Sequence, residues 1–264
     1  MPKVDNDPTK RIAKPFVILA NVRTGGTFLA HCLSNHPQVH CDRGETIHHG
    51  SIWRTRARFI PVADLIYLLT HQEGYHASGF RVIYKQAFDS RVWPFIIQNK
   101  CRIIHLYREN VLRQSVSWLF QQRVRHGKED YFPVHSFESQ EPPKVELDPV
   151  QIIAWCGKMN GAVDETRQRI KNLDVLEVGY AEITDSEGET KHFASAEPTK
   201  KICDFLGVEN LMLHCGLKRV TAFPLRAMLT NWKEVRDAVK DSPYAEHLAD
   251  EVGWKKSGKT WRRE

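Results

Sequence analysis

Arg23, Thr24, Gly25, Gly26 and Thr27 share one short loop, and their types suit the binding of an anion. Before them runs the apolar stretch Phe16 to Ala20, bounded by Pro15, as a buried parallel strand would be. After them Phe28, Leu29, Cys32 and Leu33 fall on one face of a helix that stops at Asn35-His36-Pro37. A glycine-bearing loop at such a junction aims free backbone N–H groups at one point, and the helix dipole adds partial positive charge there. An ATP-binding loop has the form G-x-x-x-x-G-K-[ST]; here Ala20 stands at the first glycine, Gly25 and Thr27 fit, and Gly26 replaces the lysine. The cation sits inside the loop instead, as Arg23. The spacing predicts a phosphate loop built for something other than a nucleoside triphosphate. The plainer alternative is an ordinary strand–turn–helix with a Gly-Gly hinge.

A second group follows the first helix, in the polar stretch Val39 to His49, which holds Glu45, His48 and His49. Its place in an α/β unit brings it toward the strand ends where ligands bind. Trp53, Arg54 and Arg56 could meet a sugar or an anion, and the sequence does not choose between them. Arg81 and Lys85 could line an acceptor pocket, a solvated strand-end charge being the favoured reading for both. His31, inside the first helix, is expected to pack or cap.

The elements that must hold these residues alternate. Gly79 to Lys85 and Arg102 to Tyr107 read as strands, the second followed by Arg108-Glu109-Asn110 and a helix to about Val124. On that helix Val111, Leu112, Ser115, Val116 and Leu119 form the apolar stripe, so Ser115 is expected in the core and Ser117 at a ligand. Asp148-Pro149 starts a helix to about Lys171, Asp174 to Val178 is a further strand, and Thr199 to Leu206 a helix ending at Gly207. Asn231 and Glu234 suggest a capping box for a last helix through about Val239. Pro61 to Leu69 also has helical spacing, while 128–146 and 184–198 read as long loops. The whole predicts an α/β fold with a central parallel sheet flanked by helices, in a single domain over 1–264 with residues 1–14 as a tail.

With 264 residues, 41% hydrophobic and 27% charged, the chain has material for one large core. No apolar leader or membrane-spanning run is present, which gives a cytoplasmic expectation. Six cysteines without C-x-x-C spacing read as reduced structural thiols rather than zinc ligands. A net charge of +6 favours an anionic ligand, and no nucleic-acid-binding motif accompanies it.

Two segments carry a family resemblance. V-I-L-A-N-V-R-T-G-G-T-F-L resembles the phosphosulfate-binding loop of sulfotransferases, and R-I-I-H-L-Y-R-E-N-V-L-R-Q-S-V-S-W resembles their second signature, a strand ending in Arg before a helix bearing Ser. Weaker similarity lies in G-F-R-V-I-Y-K-Q, L-E-V-G-Y-A-E-I-T and I-C-D-F-L-G-V. The segment P-L-R-A-M-L-T-N-W-K-E-V is similar to the bacterial carbohydrate members of trehalose and Nod-factor type. The resemblance implies a P-loop-like three-layer fold and PAPS (3′-phosphoadenosine 5′-phosphosulfate) as sulfuryl donor, with PAP as product. It implies donor binding by Arg23, Thr24, Gly25, Gly26, Thr27 and Phe28, with Arg108 and Ser117 on the 3′-phosphate. The acceptor it implies is a hydroxyl of a carbohydrate or glycolipid. Glu45 is implied as the base, with Arg23 on the leaving phosphate and His48 and His49 as substitutes for Glu45. The cytosolic aryl and steroid enzymes carry Lys in the loop and set their serine one position nearer the arginine, where this chain has Val116. Gly26 also stands at a common hydroxyl position. A nucleotide kinase would need a loop lysine and a magnesium-binding Asp, neither of which is found; a non-catalytic anion-binding module and a homo-oligomer stay open.

Overall fold

The computed structural model of the chain describes residues 13–43, 66–67, 70–88, 92–126, 143–184, 196–214, 223–257 and 260–263. Glu45, His48, His49, Trp53, Arg54, Arg56 and Cys215 lie outside them, as do most of the two long loops. The elements are β1 (Lys14–Ala20), α1 (Gly26–Ser34), β2 (Val39–Cys41), β3 (Ala77–Ile83), α2 (Tyr84–Ala87), α3 (Val92–Gln98), β4 (Arg102–Tyr107) and α4 (Val111–His126). There follow α5 (Pro149–Ile170), β5 (Val175–Gly179), α6 (Tyr180–Ile183), α7 (Ala196–Leu206), α8 (Leu225–Met228) and α9 (Trp232–Lys240). A 3₁₀ helix (Ala245–Glu251) then leads to the hairpin β6 (Trp254–Ser257) and β7 (Thr260–Arg263).

Five strands form one parallel sheet in the order β2-β3-β1-β4-β5, the α/β architecture expected. Central parallel strands are covered on both faces, which is why Phe16 to Ala20 is apolar without alternation and entirely buried. Phe16, Ile18 and Ala20 face α1 and α7, while Val17 and Leu19 face α2, α3 and α5. A third apolar cluster joins α4 to the first half of α5, α8 and α9. At its upper end β1 is level with Ile83 on one side and Leu106 on the other. From β1 the chain builds β2 and β3 on one side, then β4 and β5 on the other. The loop after Ala20 therefore stands where the strand order reverses, and such a crevice admits ligands.

Several local expectations hold and others change. Asp148 caps α5 by accepting from the Val150 N–H at 2.9 Å, with Pro149 at the first helical position. Asn231 precedes α9 without capping it. Its amide instead takes the Leu147 N–H at 3.3 Å and gives a hydrogen bond to the Leu147 carbonyl at 2.9 Å, so it ties α9 to the segment before α5. Val39 to Cys41, read as part of a polar stretch, is a short edge strand on β3. Arg113 and Ser117 lie outside the apolar stripe of α4, yet both are largely covered. Long-range partners do the covering: Glu251 and Trp254 over Arg113, and Arg23 over Ser117.

The five described cysteines are buried and form no disulfide, and burial raises the thiols of Cys41, Cys101, Cys156 and Cys203, Cys156 to about 11 and Cys101 to about 12. Among the described residues no helix is long and apolar enough to cross a membrane.

Candidate functional site

The loop between β1 and α1 adopts a backbone its sequence only partly announces. Gly25, the N-cap of α1, has φ 83°, which glycine adopts without steric cost. Arg23 has φ 62°, a conformation that costs an L residue about 1–2 kcal/mol. Such a cost persists only where the surroundings over-determine it. Three contacts do so here. Gln114 of α4, fully buried, donates from Nε2 to the Val22 carbonyl at 2.8 Å. Arg108, at the end of β4, donates from Nη1 to the Arg23 carbonyl at 3.2 Å. Arg23 itself donates from Nε to Ser117 Oγ at 2.9 Å.

The first N–H groups of α1 have no acceptor within the helix, since the ladder opens with Leu29 N–H on the Gly25 carbonyl. Gly25 has no side chain to cap them and the first turn holds no acidic residue, so the positive end of the helix suits an anion. Left-handed turns at Arg23 and Gly25, flanking Thr24, make the concave backbone typical of anion sites.

Arg23, Arg108 and Ser117 are thus brought together although they come from three elements. Thr24 is not turned toward the opening. It is fully buried and donates its hydroxyl to the Asn21 carbonyl at 2.8 Å, holding the loop rather than facing it. Thr27 is half-buried in the first turn of α1, and Phe28 packs on the core under α1. His31 is half-buried toward the far end of that helix, away from the loop. Lys85 is exposed, in keeping with a solvated charge, but Arg81 is not: it is buried at 7% exposure and lies against the loop end of α1.

One residue not singled out from the sequence belongs to this cluster. The Tyr180 ring stacks on the Arg108 guanidinium at 4.5 Å from its centroid. The same ring lies over Gly25, where an added Cβ would stand 2.8 Å from two ring carbons. Tyr180 follows β5 directly, and its position at a strand end beside Gly179 was the available signal.

Behind the strand ends a polar chain runs across the sheet, buried at Tyr84 and His105 and reaching the surface at Glu177 and Arg167. Tyr84 Oη and His105 Nε2 are 2.7 Å apart, His105 Nδ1 and Glu177 Oε1 are 3.1 Å apart, and Arg167 donates to both Glu177 oxygens. Burial pushes the Tyr84 phenol up and the His105 imidazole down, the latter against the pull of Glu177. Partial burial would raise Glu177, but hydrogen bonds from Arg167 and His105 hold it below the ordinary carboxylate value. A neutral His105 donating from Nδ1 to Glu177 and accepting from Tyr84 satisfies every member. This chain ties the start of α2, directly after β3, to β4, β5 and α5, close to the strand ends carrying Arg81 and Arg108.

No protein-family model matches the chain, and no curated protein sequence matches it. Solved structures do. A sulfotransferase from Alicyclobacillus acidocaldarius is similar over 91% of this chain and 95% of its own, at 14% identity and a TM-score of 0.47. Mouse sulfotransferase SULT7A1 complexed with PAP is similar over 92% of this chain and 66% of its own, at 14% identity and a TM-score of 0.40.

Proposed function

We propose that this chain is a sulfotransferase, moving a sulfuryl group from PAPS to a hydroxyl of a carbohydrate or glycolipid. The observation that carries this reading is the joining of the loop to the β4–α4 element: Arg23 on Ser117 and Arg108 on the Arg23 carbonyl. Two anion-binding positions then lie side by side, one at the N-terminus of α1 and one at Arg108 and Ser117. A nucleotide bearing phosphates at both its 5′ and 3′ positions is the ligand that uses both.

In the transfer the S–O bond to the 5′-phosphate breaks while the acceptor oxygen bonds to sulfur, and charge gathers on the departing phosphate. The N–H groups of the loop and Arg23 stand where that charge develops, already ordered by Gln114, Arg108 and Ser117. The acceptor proton needs a base. Glu45 is assigned that role, with His48 and His49 as the residues to examine next; the assignment of all three rests on their place after α1 in the sequence.

Calorimetry with PAP and 5′-AMP tests the reading. If Arg108 and Ser117 hold a 3′-phosphate, PAP binds roughly ten- to a hundredfold more tightly than 5′-AMP. Equal affinities would remove its central support.

A further inference from the structure

Gly26 opens α1 and is buried, and its backbone does not require glycine, since it has no left-handed φ. What forbids a side chain there is space. A Cβ on residue 26 would stand 2.7 Å from Arg81 Cδ, 3.4 Å from Arg81 Cγ and 3.3 Å from Ala20 Cβ. The volume that a side chain at 26 would fill is occupied by the arginine stem entering from the next strand. In register, Arg81 of β3 lies beside Ile18 of β1, on the face that packs against α1.

Arg81 is 7% exposed and stands at the positive end of α1, at a loop that already carries Arg23 and meets Arg108. Arg81 acts on the buried Cys41 thiol together with Asp42 and Arg43, so the acidic Asp42 is also near. An anion bound at the loop would meet the helix end and these cations together. Because β1 lies between β3 and β4, Arg81 approaches the loop from one side and Arg108 and Ser117 from the other.

We infer that Arg81 supplies the side-chain contact to the loop-bound 5′-phosphosulfate, in the place of the side chain that Gly26 lacks. This assignment rests on the sulfotransferase reading above. It divides the nucleotide between two sets of residues: Arg81 with the loop at the 5′ end, Arg108 and Ser117 at the 3′-phosphate.

The test uses three nucleotides, PAP, 5′-AMP and 3′-AMP, titrated into wild-type protein and the variants Arg81→Met, Arg81→Lys and Gly26→Ala. Arg81→Met keeps most of the stem and removes the charge. It is expected to weaken PAP and 5′-AMP by a common factor on the order of tenfold, with 3′-AMP unchanged. Arg81→Lys, which keeps a charge but loses the fork, is expected to recover part of that loss. Gly26→Ala is expected to displace the arginine stem and weaken 5′-AMP but not 3′-AMP, and it carries the test if Arg81→Met does not fold. An Arg81→Met protein that binds 5′-AMP as wild type does, or that loses 3′-AMP equally, overturns the assignment alone. A wild-type protein that binds none of the three overturns the sulfotransferase reading, and the assignment with it.

Discussion

Two serines two residues apart on α4, roughly half a helical turn, have opposite surroundings. Ser117 Oγ receives the Arg23 guanidinium, whereas Ser115 is fully buried in the apolar stripe of α4. Ser117→Ala is expected to lower PAP affinity roughly tenfold while the melting temperature barely moves, because only a hydrogen bond at the site is lost. Ser115→Ala should leave PAP binding as it is. Calorimetry showing the reverse pattern would mean that the 3′-phosphate meets another part of α4. Glu45→Gln keeps size and hydrogen-bonding shape but cannot take a proton, so turnover should fall by about 10²–10⁴ with PAP binding unchanged. A turnover within about threefold of wild type would pass the role of base to His48 or His49, each then tested as alanine.

Among elements, the C-terminal segment does more than close the chain. The 3₁₀ helix Ala245–Glu251 and Trp254 wrap the start of α4: Asn110 donates to the Asp250 carboxylate at 2.6 Å, and Arg113 pairs with Glu251 at 2.7 Å beneath the Trp254 ring. Glu251 also accepts the Leu225 N–H at 2.6 Å, and its side chain is only 6% exposed. Burial raises its carboxyl, with Arg113 opposing. Glu251→Ala would leave a covered guanidinium without this partner, and a loss of about 3–5 kcal/mol in urea unfolding is expected. A loss under about 1 kcal/mol would place the pair among solvent-screened ones. The chain from Tyr84 to Glu177 gives a pH signature instead. Because burial lowers the folded pKa of His105 below 6.5, the unfolded protein takes up its proton first, and stability contributed by this residue is lost as pH falls below about 6.5. Thermal unfolding of wild type between pH 7 and 5 should therefore drop more steeply than that of His105→Asn, by up to about 1.4 kcal/mol per pH unit. Parallel curves would show that the imidazole titrates as it does in the unfolded chain.

The whole molecule places a net charge of +6 behind a site built at the strand-order reversal. A ligand that binds only the folded state stabilises it by about 2.7 kcal/mol at a hundred times its dissociation constant. For a domain of this size that is a rise on the order of 5–10 °C in melting temperature with PAP. ATP with magnesium should give no comparable rise, since Gly26 stands where a loop lysine would reach the outer phosphates. Stabilisation by ATP with magnesium and not by PAP would reverse the choice of nucleotide. The rise with PAP should also shrink as salt is added, because exposed cations that draw the nucleotide in are screened.

Local sequence determined the strand–loop–helix from Lys14 to Ser34, the strand Arg102–Tyr107 with its following helix, and the cap at Asp148, since each depends on periodicity or on a neighbour a few residues away. It also singled out Arg23 and Arg108, at element ends, and Ser117, off the apolar stripe of its helix, since residue type and such positions are local features. Tertiary structure alone decided which of these meet. Arg23 and Ser117 are 94 residues apart and Arg108 reaches the Arg23 carbonyl across 85, distances that leave no local trace. The same holds for Tyr180 over Gly25, for Glu251 under Leu225, and for Asn231, whose apparent capping box was spent on Leu147. Arg81 is the clearest case: its sequence reads as a strand-end charge, and only the parallel register of β3 on β1 lays its stem across Gly26 and buries it beside the helix end.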